Sequence, residues 1–138
     1  MVVVHMDTRF DTVDFARVYD GLDCRLFYII ESRDVDLLRQ RTIIGIWCYA
    51  SEFADRYGLH GFFTSMFVSN INEAIEHQVD HLATEENIAE EFELFCCTLN
   101  CFIRAELPMD EWVENLQGMC NRDLPFVRYN YEALSYFE

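Results

Sequence analysis

The feature that most constrains this chain is its shortage of turn-making residues: 138 residues include two prolines and five glycines. Gly and Pro punctuate hairpins and tight turns, and an all-β domain needs such a signal about every 8–12 residues. A chain this poor in them is expected to be built from helices, and the helical period does recur along it. Hydrophobic residues make up 51% and aromatic residues 15%, enough for one buried core, so a single domain over residues 1–138 is expected.

Apolar positions Val13, Phe15, Val18, Tyr19 and Leu22 predict a first helix from Asp11, resuming after Gly21 through Leu26, Phe27 and Ile30. Asp34 is a candidate N-cap for a segment running through Leu37, Leu38, Ile43, Ile44, Ile46, Trp47, Tyr49, Ala50, Phe53 and Tyr57, which Gly58 would end. Residues 60–68 read as a short, very apolar helix. Asn70 with Glu73 three residues on is a capping-box arrangement, opening a helix with the face Ile71, Ala74, Ile75, Val79, Leu82 and Ala83. Thr84 starts the next, with Glu85 and Glu86 where the helix dipole favours anions, and a core face of Ile88, Phe92, Phe95, Leu99, Phe102 and Ile103. Beyond Pro108, residues 109–119 predict a short helix holding Trp112, Val113 and Leu116, and Leu124-Pro125-Phe126 a packed irregular segment with a last turn. The sum is an all-α bundle of six to eight helices.

The formal charge is −15, and all ten basic residues are arginine. Binding nucleic acid requires a basic patch that displaces counterions from phosphates, so direct nucleic-acid binding is not expected. The opposite role is open: an acidic helical protein can inhibit a basic enzyme or mimic DNA, if its carboxylates share one face. The opening Met1-Val-Val-Val-His5 is too short for a secretory signal, Tyr129 to Glu138 is no tail anchor, and no run reaches the ~18 apolar residues of a membrane helix. The six cysteines read as reduced, buried, small hydrophobes of a cytosolic protein. Cys96, Cys97 and Cys101 sit in an apolar helical pattern and lack paired C-x-x-C spacing.

Glu73, His77 and His81 would share a helical face, and two histidines at i, i+4 can bind a metal. Gln78 follows His77, so there is no H-E-x-x-H motif, and the group reads as a solvated charged face with no metal expected. Gly58 and Gly61 are isolated and form no phosphate loop, and nothing marks a nucleophile elbow. Neither catalysis nor a cofactor is expected. A partner-binding domain remains, in which the oily stretch from Phe62 to Val68 is a candidate wall of a helix-binding groove.

Three stretches carry a family resemblance. Phe62-Phe63-Thr64-Ser65-Met66-Phe67-Val68-Ser69-Asn70-Ile71-Asn72 resembles the first homology motif of the Bcl-2 apoptosis regulators, especially virus-encoded ones. Ala50-Ser51-Glu52-Phe53-Ala54-Asp55-Arg56-Tyr57 is similar to the third motif, and Asp110-Glu111-Trp112-Val113-Glu114-Asn115-Leu116-Gln117-Gly118-Met119 to the second. The resemblance covers roughly residues 45 to 120 and is patchy. Where the family has Asn-Trp-Gly-Arg, this chain reads Asn72-Glu73-Ala74-Ile75, without the Arg that pairs with a ligand carboxylate. The resemblance implies an anti-apoptotic protein of the host-cell cytosol, recruited to mitochondria through its partners. It would sequester pro-apoptotic BH3 helices in a groove of Phe53, Arg56, Tyr57, Phe62, Phe63, Met66, Phe67, Asn72, Ala74 and Ile75. In that groove Asn72 would cap the ligand backbone and Arg56 would replace the missing Arg. A homodimer covering the same apolar surface is a further possibility.

Overall fold

The computed structural model describes the backbone of residues 2–5, 15–19 and 26–31, and residues 35–138 with side chains, that of Leu37 excepted. The chain divides into two compact units: residues up to Met66 together with Leu134–Glu138, and Phe67–Ala133. The all-α expectation is overturned, because the first unit is built on β-sheet and the protein is mixed α/β.

In the first unit the order is β1 (Val2–His5), β2 (Phe15–Tyr19), β3 (Leu26–Glu31), α1 (Val35–Leu38), β4 (Thr42–Ile46), α2 (Ala50–Tyr57), β5 (His60–Phe63) and, from the chain end, β6 (Ser135–Phe137). The main sheet has the order β1-β4-β5-β6, and β2 with β3 forms a separate antiparallel pair. Strand β4 runs parallel to both β1 and β5, while β6 closes antiparallel on β5. Helix α2 is thus the crossover between parallel β4 and β5. The helix expected from Asp11 to Ile30 and the expected helical stretch over 43–46 are strands where the structure describes them, and the helix expected over 60–68 is strand over His60–Phe63 and irregular chain over 64–68. Val13, Leu22 and Asp34 lie outside the described residues.

The reason is burial on both faces. Ile43, Ile44 and Ile46 of β4 and Phe62 and Phe63 of β5 are all buried, so these strands are continuous apolar runs with no alternation to mark them. Gly61 adopts φ +134, and a Cβ there would lie 2.0 Å from the Ile43 carbonyl oxygen, so this close strand approach requires glycine. The turn from β4 into α2 uses Tyr49 at φ +65 where glycine is usual. Buried Thr64 ties that turn to β5. Its hydroxyl accepts from the Trp47 N–H (3.1 Å) and donates to the Trp47 carbonyl (2.9 Å), and its own carbonyl accepts from the Ser51 N–H (2.9 Å). Gly58 ends α2 as the sequence predicts, at φ 62, with its N–H donating to the Ala54 and Asp55 carbonyls. The core of this unit joins Val35, Leu38, Ile43, Trp47, Phe53, Leu59 and Phe63, with Trp47 edge-on to Phe53 (6.0 Å) and Phe63 (6.4 Å).

The second unit is helical: α3 (Ile71–Glu76), α4 (Glu85–Arg104), a 3-10 turn (Met109–Glu111), α5 (Trp112–Met119) and α6 (Pro125–Glu132). The predicted caps are present. Asn70 accepts from the Glu73 N–H at 3.1 Å, and the Glu73 carboxylate reaches back to the Ser69 N–H at 2.7 Å. Thr84 accepts from the Asn87 N–H, and the Asn87 side chain accepts in return from the Thr84 N–H. Helix α3 stops well before Ala83 because Gln78 turns to φ 58. Residues 125–132 form a regular helix where an irregular segment is expected, since Pro125 at its first turn has no N–H to leave unpaired. Inside, Phe67 packs on Phe95 (5.0 Å) and Phe92 (5.9 Å), and Phe95 meets Tyr131 (5.7 Å). Buried Asn130 clamps Val68, accepting from its N–H at 2.7 Å and donating to its carbonyl at 3.0 Å.

Candidate functional site

The residues expected to line a groove fall into two groups. Phe53, Arg56, Tyr57, Phe62, Phe63 and Met66 belong to the first unit, and Phe67, Asn72, Ala74 and Ile75 to the second. Phe53, Phe62, Phe63, Phe67 and Ala74 are buried, at 0 to 5% relative exposure. Such side chains are already packed and have no surface left for a ligand helix. Phe53 lies against Trp47 and, at 4.6 Å, Tyr57; Phe63 lies against Trp47 and Phe137. Tyr57 and Met66 are half-buried, and Arg56, Asn72 and Ile75 are exposed. The grease of residues 62–67 is therefore core: strand β5 in one unit and the Phe67 cluster in the other.

The Glu73-His77-His81 face does not form, because α3 ends at Glu76. His77 stacks on Tyr129, whose hydroxyl lies 3.3 Å from Nδ1, and Glu73 is taken by the Ser69 N–H and hydroxyl. Among the described residues no group of three or more His, Cys, Asp or Glu is arranged to hold a metal ion. The cysteines depart from the buried-hydrophobe reading: Cys97 and Cys101 are exposed, and Cys48, Cys96 and Cys120 half-buried. The outward side of α4 carries Cys97 and Cys101, whereas Ile88, Phe95 and Leu99 fill the buried side.

What the sequence reading left unlocated is the charge. Residues 67–133 hold fourteen acids against three arginines, Arg104, Arg122 and Arg128, which leaves −11 of the total −15 on the helical unit. The remaining eleven acids face seven arginines and leave −4. Twelve of the fourteen are exposed: Glu76, Asp80, Glu85, Glu86, Glu90, Glu93, Glu106, Asp110, Glu111, Glu114, Asp123 and Glu132. Among the described residues none of them enters an ion pair. Local rules explain part of the placement, since Glu85 and Glu86 occupy the first turn of α4. The dipole does not account for Glu90 and Glu93 further along.

Glu91 is different. Its Oε2 is buried without a hydrogen-bond partner, and burial, with Glu90 adding, pushes its carboxyl above the ordinary glutamate range. Burial, followed by Glu91, Cys120 and Cys96, pushes the Tyr131 phenol up to about 12. Among the described residues no helix is long and apolar enough to cross a membrane. No family model, curated protein or solved structure matches the chain.

Proposed function

We propose that the helical unit Phe67–Ala133 engages a cationic protein partner through its exposed carboxylates, acting as an acidic inhibitor or a mimic of a nucleic-acid backbone. The observation that carries this reading is the concentration of fourteen acids against three arginines, twelve of them exposed and none ion-paired among the described residues. Unpaired surface charge of one sign raises the local concentration of an oppositely charged partner and speeds its association. The density on α4 is suited to a phosphate-reading partner. Exposed Glu85, Glu86, Glu90 and Glu93 fall within nine helical residues. At 1.5 Å rise per residue the four charges span ~12 Å, a mean axial spacing of ~4 Å, comparable with the ~3.4 Å per phosphate of a single DNA strand. The competing reading, a groove for BH3 helices, rests on the motif resemblance. The burial of Phe53, Phe62, Phe63 and Phe67 leaves it without an open aromatic wall.

The test is binding of a fluorescein-labelled arginine-rich peptide, read by anisotropy, to the wild type and to a Glu85→Gln/Glu86→Gln/Glu90→Gln/Glu93→Gln variant. Gln keeps helix propensity near that of Glu. Each exposed charge contact is worth ~0.2–1 kcal/mol, so the quadruple variant should bind about fourfold more weakly or worse. Equal affinities, with both proteins equally helical, would refute α4 as the binding surface.

A further inference from the structure

We propose that Cys97 and Cys101, on the exposed side of α4, form a two-thiolate site for a soft monovalent metal ion, Cu(I). The two lie four residues apart within Glu85–Arg104, and both are exposed. Residues at i and i+4 on a helix hold their Cβ atoms ~5–6 Å apart. A disulfide wants ~3.5–4.5 Å, so the pair is too wide to close on itself and remains a dithiol. A bridging ion suits the wider spacing: on the ~2.3 Å scale of a zinc–thiolate bond, a linear S–metal–S unit spans ~4.6 Å, within reach of two side chains one helical turn apart.

The surroundings select the ion. No group of three or more His, Cys, Asp or Glu converges on a metal position among the described residues, so ions that need three or four protein donors lack a ligand set. Soft thiolates select Cu(I), which two sulfurs satisfy. Cys96, the third thiol of the segment, is half-buried, whereas Cys97 and Cys101 are exposed. The Thr98 hydroxyl is occupied, donating to the Leu94 carbonyl at 2.8 Å. Exposed Glu93 and Glu90, one and two turns before Cys97, attract cations, while exposed Arg104, three residues past Cys101, opposes them. Binding converts one Cu(I) and two thiols into a bis-thiolate of net charge −1 with release of two protons, so affinity rises with pH. Nothing is oxidised or reduced.

The full chain, reduced and anaerobic, should be titrated with Cu(I) against a coloured Cu(I) chelator. The expected result is one Cu(I) per chain on a monomer, lost in Cys97→Ser and in Cys101→Ser and retained in Cys48→Ser and Cys120→Ser. Circular dichroism of each variant separates site loss from unfolding, and Cys97→Ala serves where Ser disturbs the helix. Equal Cu(I) uptake by folded Cys97 and Cys101 variants would overturn the proposal. So would failure of the wild type to compete with the chelator, or one Cu(I) shared by two chains.

Discussion

Asn130 offers the sharpest test of how the helical unit is held together. Its amide pairs with both backbone groups of Val68, sixty-two residues away in sequence, and both residues are buried. Asn130→Leu keeps the side chain's approximate size and removes both hydrogen bonds. The Val68 N–H and carbonyl are then left unpaired out of water, at ~1–3 kcal/mol each. The added apolar burial returns about 1 kcal/mol. The net loss should be about 1–5 kcal/mol, a large share of the stability of an ordinary domain. Asn130→Asp separates the two bonds. It keeps the acceptor for the Val68 N–H but sets a carboxylate oxygen against the Val68 carbonyl, which raises the Asp pKa in the folded state. Stability of this variant is then best below the unfolded Asp value of ~3.9 and is lost as pH rises through the folded pKa. The chain has two tryptophans, Trp47 in the first unit and Trp112 in the second. Urea unfolding of a Trp47→Phe background therefore reports on the helical unit alone. A loss below 1 kcal/mol in Asn130→Leu, or no acid recovery in Asn130→Asp, would refute the clamp.

Thr64→Val, nearly isosteric, leaves the Trp47 N–H without its buried acceptor and should cost about 1–3 kcal/mol, read from Trp47 fluorescence in a Trp112→Phe background. Gly61→Ala should abolish soluble expression, because its Cβ would lie 2.0 Å from the Ile43 oxygen at φ +134. Glu91→Gln should raise stability at neutral pH. Folding raises the Glu91 pKa, so the wild type gains stability as pH falls through that folded value, and the variant's advantage should vanish in acid, as thermal melts at two pH values will show.

The sequence was most legible where local chemistry decides. The Asn70 and Thr84 caps, the Gly58 stop and the apolar side of α4 all follow from residues within one turn of each other. The sheet was illegible for two physical reasons. Strands such as Thr42–Ile46, buried on both faces, lack the alternation that separates a strand from a buried helix. The scarcity of glycine also misled, because Tyr49, Gln78, Leu82 and Glu106 take positive φ and make turns that composition does not announce. The same ambiguity attaches to the candidate groove: an aromatic stretch reads alike whether it lines a cleft or fills a core, and Phe62, Phe63 and Phe67 are buried. The charge was legible throughout as a count. Its gathering on residues 67–133 was readable by segment, but its exposure and lack of pairing needed the structure.

The most direct test of the central claim is the salt dependence of affinity for the arginine-rich peptide, measured from low to several times physiological ionic strength. The account predicts that log Kd rises linearly with log salt, and that the quadruple Glu→Gln variant of α4 has a shallower slope. Binding that ignores salt would contradict it, above all if an amphipathic BH3-type helix bound equally well at every ionic strength, since that would return the function to an apolar surface.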